Sequence, residues 1–177
     1  IVVPHGIDDS VFKDYTGGEA AGLVVCNLIV SRDVFCGWSI CSKIMEQIPV
    51  KIVGNNPGMS KSASSIEELV SFYQKCAFFL NTSTLSPVPL SLLEAACVGC
   101  PIVTTANQQV PYIFKDGYDA IMSNDVDKLI SGSQKLLNDR DYALYLGNNA
   151  RKTILERFNI QTFIQNWQKT FERILQE

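Results

Sequence analysis

Leu80-Asn81-Thr82-Ser83-Thr84-Leu85-Ser86-Pro87-Val88-Pro89-Leu90-Ser91-Leu92-Leu93-Glu94-Ala95-Ala96-Cys97-Val98-Gly99-Cys100-Pro101-Ile102-Val103-Thr104-Thr105 reads as one strand end, a polar loop, a helix and the next strand. The apolar run Ala77–Leu80 is strand-like, and the hydroxyl-rich loop after it marks where the strand stops. Pro89 is expected to start the helix, because its missing N–H would be unpaired in a first turn anyway. Gly99 is expected to end it, and Pro101 prevents its continuation. The run Pro101–Thr105 then reads as a further strand. Outward from this unit the alternation repeats. Strands are expected at Gly22–Val30, Pro49–Gly54 and, briefly, Ala120–Ser123, with a turn at Asn55-Asn56-Pro57-Gly58. Helices are expected from about Trp38 to Gln47, from the serine cap and acidic first turn at Ser64-Ser65-Ile66-Glu67-Glu68 to about Lys75, and near Pro111–Phe114. After Asp125 the spacing of three and four predicts helices at Val126–Leu137, Tyr142–Arg157 and Thr162–Leu175. Strands alternating with helices predict an α/β domain over residues 1–177: a doubly wound, Rossmann-like parallel sheet with helices on both faces and C-terminal helices.

Composition narrows the function. Of the 177 residues 46% are hydrophobic and 19% charged, ordinary for a chain with a buried sheet. A net charge of -3 argues against nucleic-acid binding, which calls for a basic patch or stripe. No apolar run is long enough to cross a bilayer. The opening Ile1-Val2-Val3-Pro4 lies inside an apolar run without a Met, as expected of a piece of a longer protein. Most of the six cysteines sit in apolar runs, as small buried hydrophobes do. Cys97-x-x-Cys100 has a redox or half-zinc spacing but no second ligand pair, and His5 is the only histidine. Reduced core cysteines in a cytoplasmic protein are the expectation.

In an open parallel sheet, ligands bind beyond the carboxyl ends of the strands, where helix N-termini present free N–H groups. That rule directs attention to the segment Leu80 to Glu94, where a strand ends, a polar loop follows and Pro89 starts a helix. Between Cys76 and Phe114 the only charged side chain is Glu94, inside an otherwise apolar helix. A carboxylate there is costly unless hydrogen-bonded or solvated. Two readings stand: a glutamate facing solvent on a half-buried helix, or a carboxylate held for a ligand's hydroxyls, such as those of a ribose.

The segment Ser86 to Thr105 resembles the signature of retaining, group 1-type glycosyltransferases, whose pattern is roughly E-x-F-x-L-x-x-x-E-A-x-x-x-G-x-P-V-V, then P-E-I-I and D-G. Val110-Pro111-Tyr112-Ile113-Phe114-Lys115-Asp116-Gly117 is similar to the last elements. Val3-Pro4-His5-Gly6-Ile7-Asp8, with Phe12 behind it, resembles V-x-P-N-G-V-D-x-x-x-F. Glu156-Arg157-Phe158, with Trp167 and Phe171, resembles the closing helices. The matches fall in the family's order and cover essentially the whole chain.

The resemblance implies one half of a GT-B fold, the C-terminal half, which binds a nucleoside-diphosphate sugar. Its N-terminal acceptor-binding domain would lie outside these residues. It implies retaining, metal-independent transfer to a glycan or lipid-linked acceptor, without a cofactor. It also implies a cytoplasmic setting, with peripheral work at the inner face of a membrane. Glu94 falls on the second glutamate of the Glu-x7-Glu pair, which bonds the ribose. Val88, Pro89, Leu90 and Ser91 fall on the loop and helix start whose backbone N–H groups cradle the diphosphate. Three departures accompany the match. Ser86 stands where the first glutamate contacts the donor sugar. Gln108-Gln109 replace paired glycines, so the loop Thr105 to Gln109 is expected to take another shape. Asn27 and Cys36 stand where an arginine and a lysine bind phosphate, leaving Arg32 either to supply the charge or to serve as an ordinary exposed loop residue.

Other features have plainer readings. Asp125-Val126-Asp127 spells D-x-D, but acids favour a helix start. Asp139-Arg140-Asp141 reads as a turn between helices, Phe72, Tyr73, Phe78 and Phe79 as core, and His5 carries no catalytic role. Three other functions remain open: a non-catalytic nucleotide-binding or scaffold domain of the same fold, a nucleotide-sugar epimerase half, and an unrelated doubly wound module. The last would need an acidic cluster or phosphate loop at the first strand end, and none is visible.

Overall fold

The structure, a computed structural model, describes residues 2–176; Ile1, the head of the apolar opening run, lies outside the described residues. Five strands pair in parallel in the order β2-β1-β3-β4-β5. They are β1 (Gly22–Val25), β2 (Val50–Val53), β3 (Phe78–Asn81), β4 (Ile102–Thr104) and β5 (Ile121–Met122). Gly22 pairs with Val50 and Phe78, Phe79 with Ile102, and Val103 with Ile121. The helices are α1 (Asp33–Cys36), α2 (Trp38–Met45), α3 (Ile66–Lys75), α4 (Leu90–Val98), α5 (Val110–Ile113), α6 (Val126–Asn138), α7 (Arg140–Arg157) and α8 (Ile160–Gln176).

Side chains alternate across a strand, so a sheet covered on both faces needs apolar residues at every position. Leu23, Phe79 and Ile102 enter a core with α3, α4 and α5, while Val24, Phe78, Leu80 and Val103 enter the opposite core with α2 and α6. Helix α7 joins both, through Ala150 and Ile154 to the first and Ala143 and Leu146 to the second. α4 is the central helix: Leu92, Leu93, Ala95, Ala96, Cys97 and Val98 are all buried. α7 packs closely against its end, where a Cβ on Gly147 would overlap the Gly99 carbonyl oxygen. α8 leaves Trp167, Phe171 and Ile174 exposed, with the rings of Trp167 and Phe171 stacked 5.4 Å apart.

Several boundaries differ from the sequence reading. β1 stops at Val25 rather than Val30, because Leu28 adopts a left-handed conformation and the Ile29 N–H donates to Asn56 Oδ1 at 2.8 Å. The short α1 follows, on a segment without helical periodicity. Pro89 is the cap residue before α4 rather than its first helical residue, at φ -64° and ψ 130°. The helix start at Ser65 holds, its hydroxyl accepting from the Glu68 N–H. Asp125 likewise caps α6, accepting from the Asp127 N–H.

All six cysteines are free thiols. The two thiols of Cys97-x-x-Cys100 have different neighbours. Cys100 Sγ lies 3.3 Å from Cys76 Sγ in the core, whereas Cys97 sits beside Arg151. No helix among the described residues is long and apolar enough to cross a membrane.

Candidate functional site

The chain leaves β1 towards α2 on one face and leaves the adjacent β3 towards α4 on the other. Such a switch point opens a crevice beyond the strand ends. A cavity of about 170 Å³ lies there, walled by Cys26, Phe35, Asn81, Thr82 and Ser83. Of the residues marked in the sequence, Arg32, Ser86, Pro89 and Ser91 line it, whereas Val88, Leu90, Glu94 and Gln108 do not.

Hydrogen bonds between loops hold this crevice in shape. Thr82 Oγ1 donates to the Cys36 carbonyl at 2.9 Å, and the Thr84 N–H to the Phe35 carbonyl at 3.0 Å, stitching the β3–α4 loop onto α1. A left-handed Gly37 (φ 70°) permits that approach, since a Cβ there would overlap the Thr82 carbonyl oxygen. On the other side Thr105 Oγ1 and Asn107 Nδ2 donate to the Ser83 carbonyl at 2.6 and 2.9 Å. Asn81 Nδ2 donates to Thr104 Oγ1 at 2.9 Å. The buried polar residues Asn81, Thr82, Thr104 and Thr105 therefore have partners within the protein, as burial requires.

Other pocket-lining groups do not. The hydroxyls of Ser86 and Ser91 and the guanidinium of Arg32 make no hydrogen bond to the chain among the described residues. Arg32 lies over the Phe35 ring at 6.0 Å. Arg140, Arg151 and Arg157, by contrast, each donate to backbone carbonyls. No side chain caps α4: the N–H groups of Leu92 and Leu93 donate to the Pro89 carbonyl, while those of Leu90 and Ser91, beside the cavity, have no capping side chain. One cation, two hydroxyls and a helix N-terminus form a site suited to phosphate and hydroxyl groups.

Glu94 lies one turn further along α4, partly buried, with Oε2 accepting from Tyr73 Oη at 2.8 Å. Burial pushes its carboxyl above the ordinary glutamate value, against the Tyr73 hydrogen bond, which lowers it. Neither Glu94 nor Tyr73 lines a hollow, but residues one helical turn from each do. Ser91, one turn earlier on α4, lines the first; Leu69, one turn before Tyr73 on α3, lines a second of about 310 Å³ with Asn27, Gly54, Ala63 and Ser65. Val25 lines both.

Asn27 has a structural duty: its Oδ1 accepts from the Asn55 N–H at 2.7 Å and ties the loops after β1 and β2 together. Cys36 is in the cavity wall. Gln108 is exposed and left-handed (φ 52°), a conformation glycine takes without strain. The Gln109 N–H beside it donates to the Pro87 carbonyl at 3.3 Å, which lays this loop against the Ser86 loop. Sequence reasoning missed Cys26 and Phe35 as wall residues, whereas Asn81 and Thr82 lie in the segment it marked. For Asn81 and Thr82 the signal was the polar run directly after an apolar strand.

The geometry can be set beside known proteins. The family profile described as glycosyl transferases group 1 matches residues 47–153. An uncharacterized glycosyltransferase, MJ1069 of Methanocaldococcus jannaschii, is 31% identical over 87 residues, 48% of this chain and 22% of that protein. Among solved structures, sucrose-phosphate synthase from Thermosynechococcus elongatus superposes with a TM-score of 0.80 at 14% identity, over 99% of this chain and 52% of that one. HepE of Anabaena, solved in complex with UDP and glucose, gives 0.78 at 14% identity, over 94% of this chain and 55% of that one. The chain thus spans about half of these solved proteins, and the likeness at that identity is one of fold: a Rossmann-like sheet forming one half of a GT-B architecture. With more than half of its residues inside the family profile, the chain belongs to the group 1 glycosyl transferases.

Proposed function

We propose that this chain is the donor-binding half of a two-domain glycosyltransferase and holds a nucleoside-diphosphate sugar at the β1/β3 crevice. The observation that carries the reading is the set of unpartnered groups there: Arg32, the Ser86 and Ser91 hydroxyls and the uncapped start of α4. HepE, of the same fold, was solved with UDP and glucose, which supports a nucleotide sugar as the ligand class.

In this reading the diphosphate lies at the N-terminus of α4, against Arg32. Helix N–H groups and the guanidinium stabilise the negative charge that develops as the diphosphate leaves the anomeric carbon. That arrangement takes the place of a metal ion. Glu94 bonds the ribose hydroxyls, and Ser86 offers the donor sugar a neutral hydroxyl. The family resemblance supports retention of anomeric configuration. The acceptor, a glycan or lipid-linked sugar, is met by an N-terminal domain, so the 177 residues alone bind donor and transfer nothing.

The test is a metal-free thermal-shift or calorimetric titration with UDP, GDP and ADP, on wild type and Glu94→Ala. A ligand at a hundred times its dissociation constant stabilises the fold by about 2.7 kcal/mol, readily seen. One nucleotide is expected to bind and Glu94→Ala to abolish the effect while the variant stays folded. Absence of binding by all three at millimolar concentration would favour a non-catalytic scaffold of the same fold.

A further inference from the structure

Glu94 sits on a helix whose other residues, from Leu90 to Val98, are uncharged, so what holds its carboxylate must come from elsewhere. Only one group does so. Tyr73 Oη donates to Glu94 Oε2 at 2.8 Å, while Oε1 has no partner among the described residues. The phenol cannot readily move. Tyr73 is 0% exposed, with the Phe12 ring 6.3 Å away on one side and Phe79 edge-on at 5.8 Å on another. A carboxylate fixed through one oxygen by a buried donor is held in one rotamer and keeps its other oxygen available for a ligand.

We propose that Tyr73 is the positioning residue of the nucleotide site, fixing the Glu94 carboxylate so that its free oxygen meets the ribose hydroxyls. This rests on the donor-binding reading above.

The role extends beyond packing because the bond also favours the ionised form of Glu94 against the burial that opposes it. The neighbouring ionisable groups do not share that task. Arg151 of α7 donates to the carbonyls of Phe12 and Cys97; Asp8 and Asp9 lie near Cys97; the thiols of Cys76 and Cys100 face Tyr73. Strands β3 and β4 bring no charged side chain. The consequence for pH has a definite sign. Ribose binding by the carboxylate is lost as pH falls through the Glu94 midpoint, and removing the phenol hydroxyl raises that midpoint.

The experiment is UDP and 2′-deoxy-UDP titration of wild type, Tyr73→Phe and Glu94→Gln, as a function of pH. Tyr73→Phe removes one oxygen and keeps the ring. It is expected to weaken UDP roughly tenfold near neutral pH, the worth of one hydrogen bond to a charged group. The pH midpoint of binding should rise, and the penalty for 2′-deoxy-UDP should shrink, because the carboxylate is no longer aimed. If Tyr73→Phe keeps the wild-type midpoint and 2′-deoxy penalty, the inference fails while the donor reading stands. If it does not fold, the bond serves the core and the inference fails equally. If Glu94→Gln also binds UDP as wild type does, with no pH dependence in any variant, the donor reading itself fails at Glu94.

Discussion

Arg32 provides the sharpest separation between binding and folding in this protein. Its guanidinium makes no hydrogen bond to the chain among the described residues and lies 6.0 Å from the Phe35 ring, at an exposed position. Its truncation should therefore change stability by no more than about 0.5 kcal/mol. Binding should respond very differently. A hydrogen bond to a charged group is worth about 1.5–3 kcal/mol, which converts to a loss of roughly ten- to a hundredfold in UDP affinity for Arg32→Ala. Arg32→Lys keeps the charge but not the planar two-point fork, so it should recover only part of that loss. The dependence on salt adds a second signature, since an exposed charge contact is screened over about 8 Å at physiological ionic strength. Wild type should lose affinity between low and moderate salt more steeply than Arg32→Ala. Calorimetric titration at two salt concentrations, with urea unfolding of the same samples, measures all three quantities. If Arg32→Ala binds UDP within twofold of wild type at low salt, the arginine takes no part. The α4 N-terminus and the serine hydroxyls would then be the whole phosphate site.

Two further outcomes follow from the packing and the titration. Gly147→Ala would gain about 1 kcal/mol of helix propensity inside α7. The new methyl overlaps the Gly99 carbonyl, however, and overpacking against backbone costs about 1–3 kcal/mol; a lowered urea midpoint is expected, and a raised one would show that α7 can move off α4. Glu94→Gln should stabilise the protein near neutral pH while weakening UDP. The buried carboxyl has its proton affinity raised in the folded state, so wild-type stability falls as pH climbs from the ordinary value of 4.5 through the raised one. The urea-midpoint advantage of the glutamine variant should vanish below pH 4.5, and an advantage that persists there would refute the assignment.

Much of the sheet was legible because its signals are local. Apolar runs such as Ala77–Leu80, the Ser65 cap and Asp125 ahead of α6 each announce themselves within a few residues. Where the reading failed, the cause is a contact from far along the chain. β1 ends early because Asn56 accepts from Ile29, and no window around Val25 contains Asn56. Asn27 reads in the sequence as part of a strand, at the place of a phosphate-binding arginine, yet in the fold its oxygen holds Asn55.

The candidate site shows the same division at finer scale. Glu94 stood out because a single charge in an apolar helix is visible from composition, but its partner Tyr73, on the preceding helix, looked like ordinary core. Both statements about Tyr73 hold: its ring is core and its hydroxyl serves the carboxylate. The sequence also grouped Arg32, Ser86, Ser91 and Glu94 as one site, whereas only the first three share a cavity. Glu94 lines neither that cavity nor the second hollow. The donor reading proposed above therefore asks one ligand to reach from the cavity at the start of α4 to a carboxylate outside it, with its charged part at α4 and its hydroxyls at Glu94.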